Sequence, residues 1–415
     1  MQTIRALCGL AVMLGLLTAC SQDEPASPTG AVAETVSDWR VSIQLPDVEL
    51  PVQLHLAPDG SEAWFSNGPE RVRVPQVARN AAGWTLRFPA FNNTVELREA
   101  EQGFTGELTL VKRGYEQVMP LTARPDEGYR FVPDPAPEVN VTGRWEVVFT
   151  DDEGTRNEAV GEFDQQGGHL TGTFLTTIGD YRYLAGEVDG RRIMLSTFDG
   201  AHAFVFTATA QADGSLAGDF WSGTRWHESW VATRNFDAQL PDAFALTHLK
   251  EGYDRLEFTF PDLDGKPVSL DAERFQDQVV LVSLGGSWCP NCADEMEFLA
   301  DVYREHRQRG LEIISLLYEH FDDFERAAQQ GRALAEKHGI DFEILVAGIS
   351  DKTAAAETLP MLNHVLAFPT LIFIDRAGTL RYIHTGFTGP GTGQHYEDFK
   401  ADFHSLLDEL LAEGA

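Results

Sequence analysis

Cys289 and Cys292 stand two residues apart in Trp288-Cys289-Pro290-Asn291-Cys292. That spacing suits a disulfide that opens and closes while the chain around it stays in place. The chain of 415 residues has four cysteines. The other two, Cys8 and Cys20, fall in an N-terminal stretch with the character of an export signal, which leaves Cys289 and Cys292 as the free thiols of the mature chain. The thiolate is the nucleophile in disulfide exchange. The first turn of a helix stabilises it through unpaired backbone N–H groups and the helix dipole. Pro290 suits the first helical position, where its missing N–H is not needed. Cys292, one turn on, is placed to displace whatever Cys289 captures. Asp294 and Glu295 bring opposing charge to the same turn, so the residues leave the acidity of Cys289 open. Three other readings compete. A structural disulfide closing so short a loop stabilises little, a zinc site needs four ligands and there is no second cysteine pair, and a copper site would have to borrow a histidine such as His364. Redox chemistry is favoured over all three.

The elements around the pair alternate between strand and helix. Gln278 to Leu284 is an apolar run typical of a buried strand, and Pro290 to Arg309 has helical spacing with Met296, Leu299, Val302 and Tyr303 inward. Strands are expected at 311–317 and 342–346, helices at 321–338 and around 354–366, a hairpin over 370–374 and 380–384, and a closing helix over 396–411. This order predicts a mixed sheet with helices on both faces. Glu319 follows the strand at 311–317, which neighbours the cysteine strand, and should end near the cysteine pair, or else lie solvated on a loop beside His320. Gly386 to Gly393 lacks the Lys-Ser/Thr ending of a phosphate-binding loop and reads as a strand-to-helix loop lining the substrate groove.

From Phe260 onward the chain resembles the TlpA-like family of thioredoxin-fold disulfide oxidoreductases. The resemblance rests on the buried strand, Trp288 to Cys292, Glu295-Met296, Phe368-Pro369-Thr370 and the strand-turn Thr370 to Gly378. It covers roughly two-fifths of the chain, and Glu297 stands where relatives usually carry proline. The resemblance implies Cys289 as nucleophile, Cys292 as resolving thiol and Pro369 as a cis-proline facing the pair. It also implies a groove formed by Trp288, Pro290, Asn291, Phe368 and Thr370, and an acid at Glu319 that exchanges protons with the buried cysteine. No metal or other cofactor is expected. The implied partners are a protein disulfide substrate and a membrane-embedded thiol donor. A thiol peroxidase is the competing enzyme, although its expected motif is absent. A non-enzymatic binding or assembly lipoprotein, handling metal through the cysteine pair, is the competing non-enzyme.

The rest of the chain reads as display and attachment. Arg5 and the apolar run Ala6 to Leu17 form an export signal too short to span a bilayer comfortably. Leu17-Thr18-Ala19-Cys20 resembles the bacterial lipobox, which makes Cys20 the expected lipidation site and residues 1–19 a signal peptide. Residues 20–37 read as a flexible tether. Ser21 leans towards outer-membrane rather than inner-membrane sorting of a periplasm-facing lipoprotein. Residues 38–132 and 139–236 alternate in short apolar-polar runs, split by Pro133 to Pro137, and are expected to form two similar antiparallel β-sandwich or barrel-like modules. Gly-x-Leu-x-Gly-x-Phe recurs at 168–174 and 214–220. Trp221, Trp226 and His227 read as core and turn residues. The α/β thioredoxin-like domain is expected at 246–413. A net charge of −32 repels phosphate backbones and argues against nucleic-acid binding.

Overall fold

The computed structural model describes residues 36–413. The signal-like segment, Cys8, Cys20 and nearly all of the tether lie outside the described residues.

The first β unit runs from Asp38–Gln44 to Tyr115–Pro125 as a nine-stranded antiparallel meander. Its first strand pairs with both its second and its last, so the sheet is an open barrel, split between its two edge strands. The two outer strands, Glu70–Arg73 and Gln76–Asn80, are consecutive in the chain but not paired. Alternation puts Trp39, Val41 and Ile43 inside, with Leu54, Phe65, Leu86 and Leu108.

The second β unit, from Gly143–Asp151 to Trp226–Arg234, also has a nine-stranded sheet. One short strand, Gly179–Asp180, is a flap on His169–Thr176. The other eight (nine less that one) close into a ring, because Arg156–Gln166 pairs with both Gly143–Asp151 and His169–Thr176. An aromatic cluster fills the ring, with Phe206 and Phe220 stacked at 4.4 Å and Phe149 edge-on to Phe174 at 5.2 Å. Such pairs add about 0.5–1.5 kcal/mol each beyond the area they bury. The repeated glycine motif marks close strand approach. A Cβ on Gly218 would sit 1.8 Å from the Thr207 carbonyl oxygen, and one on Gly172 would sit 2.3 Å from that of Glu162. The two β units are thus barrels of different closure, which the repeated motif alone could not distinguish.

The barrels are locked together. The turn Phe198 to Ala203 of the second enters the core of the first, where Phe198 meets Phe65 and Phe88 edge-on. Asn67 and Asn93 donate to the carbonyls of Phe198 and Gly200. Arg130, buried in the linker, donates to Ser66 and Asn67 on one side and Ser196 on the other.

The C-terminal unit is a five-stranded mixed sheet. Its strands are β1 (Val279–Gly285), β2 (Leu311–Glu319), β3 (Glu343–Ile349), β4 (Thr370–Ile374) and β5 (Leu380–Thr385), in the order β3-β2-β1-β4-β5. β1, β2 and β3 pair in parallel, and β4 is antiparallel to both β1 and β5. Four helices cover it: α1 (Pro290–His306), α2 (Phe324–His338), α3 (Lys352–Thr358) and α4 (Gln394–Ala412). Successive β1 residues face opposite layers. Val280, Val282 and Leu284 join the core that holds the cysteines, and Val279 and Leu281 join the core under α1 and α4. α3 ends at Thr358 instead of continuing to 366, because Pro360 restricts the residue before it and cannot donate to a helix. α2 starts at Phe324, where the side chain of Asp323 caps the Arg326 N–H.

Candidate active site

β1 delivers the chain to the mouth of α1, and the two cysteines sit there in a disulfide with Cα atoms 5.2 Å apart. Cys289 is the N-cap of α1, and its sulfur accepts the Cys292 N–H at 3.2 Å. Pro290 takes the first helical position. The first turn therefore presents the Cys292 N–H to the sulfur, a contact of the kind that stabilises a thiolate. Cys292 packs on the backbone of Gly285, where a Cβ would come within 3.3 Å of its sulfur. Cys289 is 6% exposed and Cys292 is 2% exposed, so an attacking group reaches Cys289 first.

Phe368-Pro369 is a cis peptide opposite the pair, and the Phe368 carbonyl oxygen lies 3.6 Å from Cys289 Sγ. Trp288 stacks on His320 at 4.8 Å, meets Phe368 edge-on and donates its indole N–H to the Tyr318 carbonyl. The structure thus brings Trp288, Cys289, Pro290, Asn291 and Phe368 to one cleft. Thr370 is buried and donates its hydroxyl to the Ala367 carbonyl, so its side chain does not face that groove. His364 is held at the Leu246 carbonyl. Among the described residues no group of three or more His, Cys, Asp or Glu side chains is placed to hold a metal ion.

Two carboxyls lie beneath the site. Glu319 is buried at the end of β2, not solvated, and accepts from the backbone and hydroxyl of Ser287 at 2.7 and 2.9 Å. Burial raises its pKa to about 7, against the pull of those bonds. These bonds fix the loop that leads into Cys289. Glu295 is fully buried on α1 and its partner is the Ser283 hydroxyl of β1. Burial pushes its pKa to about 8, so at neutral pH it is a neutral acid. The charge expected of Glu295 beside Cys289 is therefore largely suppressed at pH 7. Two periodicities read together could have placed it inside: Ser283 follows Val279 and Leu281 on one face of β1, and Glu295 adjoins Met296 and Leu299 on α1.

The second barrel reaches the site, which the sequence did not announce. Its segment Thr176 to Arg182 lies against the cysteine loop and the Gly386 to Gly393 loop. Asn291 donates to the Asp180 carbonyl at 3.1 Å, and Asp180 accepts the Gly389 N–H at 2.7 Å. Arg182 pairs with Asp294 of α1, with Glu70 of the first barrel at 2.6 Å and with Asp199 of the second at 3.8 Å. Asp294 is thereby neutralised beside the helix mouth. The glycine loop seats the barrel flap instead of lining the groove. Trp226, expected as a core or turn residue, is 49% exposed and lines the cleft.

Residues 252–383 match the model of the AhpC/TSA family. Thiol-disulfide oxidoreductase ResA of Halalkalibacterium halodurans is 25% identical over 137 residues, which is 33% of this chain and 69% of that protein. The C-terminal region thus has a thioredoxin-like fold and is similar in sequence to thiol-disulfide oxidoreductases. ResA of Bacillus thuringiensis is 32% identical to this domain over 65 residues, 16% of the chain and 36% of the relative's own length. A solved putative protein disulfide isomerase from Bacteroides thetaiotaomicron aligns over 41% of this chain and 95% of its own, at 20% identity and a TM-score of 0.31. A thiol:disulfide interchange protein from Chlorobium tepidum covers 39% of this chain and 99% of its own, at 19% identity and a TM-score of 0.30.

Proposed function

We propose that the protein reduces disulfides of partner proteins in the bacterial cell envelope through the Cys289–Cys292 pair. The observation that carries this is the position of Cys289, capping α1 at the floor of a cleft with Cys292 directly behind it. In the reduced protein the Cys289 thiolate attacks a partner disulfide, forming a mixed disulfide and releasing one partner thiolate. The Cys292 thiolate then attacks Cys289 Sγ, which releases the second partner thiol and closes the Cys289–Cys292 bond. Two electrons and two protons pass to the partner. An external dithiol, supplied by a membrane-embedded donor, returns them. Glu319 fixes the loop before Cys289 and, with its pKa near 7, is the group we assign to exchange protons with the buried thiol.

A resolving thiol three residues away suits disulfide exchange better than peroxide reduction. The guanidinium nearest the cysteine loop, Arg182, is already committed to carboxylates. The lipobox-like Leu17 to Cys20 supports a lipid anchor at Cys20, with the tether and barrels carrying the redox domain away from the membrane, and Ser21 favours the outer one.

The test is trapping in envelope extracts. Cys292→Ala should hold partners as mixed disulfides on Cys289, released by dithiothreitol, while Cys289→Ser captures none and loses exchange activity. Full exchange by Cys289→Ser would refute the nucleophile.

A further inference from the structure

The cleft over the disulfide has walls of different origin. Trp288, Pro290 and Phe368 form one, and Ile178, Phe204 and Trp226 of the second barrel form the other. Its volume is about 800 Å³. That is within the range that encloses a small ligand or a short run of extended chain, and far below what a folded domain occupies. The barrel wall is held by the Asn291 and Gly389 bonds to Asp180 and by the Arg182–Asp294 pair, so a broad rigid surface cannot come flat against Cys289. Ile178 and Trp226 are 46% and 49% exposed, and both line the same cleft as Cys289. Exposed apolar groups rimmed by polar ones mark contact sites. The charged lining is nearly balanced, with Arg156, Arg182 and Lys352 against Glu158, Asp180, Asp199 and Glu228, and Arg182 and Asp199 face each other. Charge therefore selects little here. The apolar lining comes from both the redox domain (Trp288, Phe368) and the barrel (Phe149, Phe204, Trp226).

We propose that the second barrel is the specificity wall of the redox site: the cleft takes an extended, cysteine-bearing peptide segment with apolar residues beside the disulfide, gripped between Trp288 and Phe368 on one side and Ile178 and Trp226 on the other. This rests on the exchange reaction proposed above and names its substrate class.

The test is single-turnover reduction by the pre-reduced full-length protein. The substrates are two fluorescent peptide disulfides, one with Phe and Leu beside the cysteine and one with Asp and Gly, and separately bis(2-hydroxyethyl) disulfide. The wild type should half-saturate with the apolar peptide at roughly 10-fold lower concentration than with the acidic one, about the effect of burying one large side chain. Trp226→Ala and Ile178→Asp should each bring the two peptides to within about 2-fold. Equal half-saturation in the wild type, or discrimination untouched in both variants, overturns the wall. If bis(2-hydroxyethyl) disulfide still reacts in that case, the exchange reading stands alone. No reaction of the wild type with any of the three disulfides overturns both.

Discussion

The placement of Cys289, Cys292, Trp288 and Pro290 at the start of a helix was legible from their type and spacing. Glu295 was legible only as a charge. Its meaning depends on Ser283, twelve residues earlier, and on a dielectric that no local pattern expresses. The consequence is measurable. Its carboxyl rises from an ordinary 4.5 to about 8 in the folded protein. Between those values the native state holds a proton that the unfolded state has lost, so stability falls as pH rises from about 4.5 to about 8, and the full cost is present above that. Glu295→Gln removes the titration. Its unfolding midpoint should match the wild type's near pH 5 and exceed it above pH 8, by the equivalent of a few kcal/mol at most. Calorimetry across that range checks it, and a constant difference at every pH would show that the carboxyl does not titrate there.

At the scale of elements, strand and helix order in the C-terminal domain followed from hydrophobic period, while α3 is shorter than its apolar spacing suggests because Pro360 ends it. The segment Thr176 to Arg182 was not legible. No local pattern sets it apart, yet it bears the hydrogen bonds and ion pairs that join barrel to active site. Arg182 faces three carboxylates from three units. Arg182→Ala leaves those charges uncompensated and should cost on the order of 3–5 kcal/mol, read as a lowered thermal midpoint. Arg182→Lys should recover part of the loss. A midpoint unchanged in Arg182→Ala would mean the carboxylates find water instead.

Over the whole molecule, alternation pointed to β modules but could not give their closure or their contact, because both are set by pairings between residues far apart in sequence. Phe198 belongs to the second barrel by chain and to the first by packing. Phe198→Ala opens a cavity among Phe65 and Phe88 and should destabilise by roughly 3–5 kcal/mol. Protease cleavage between the barrels should become faster than in the wild type, and unchanged kinetics would show the barrels to be independently held.

The Phe198 anchor also has a meaning for inheritance. The strip of chain beside Cys289 hangs from a barrel whose tip is lodged in its neighbour, and Glu70 of that neighbour holds Arg182 from the other side. On the function proposed above, a lesion in the first barrel, in strands that never meet sulfur, would surface as a defect in electron traffic, and selection on that traffic would reach all three units.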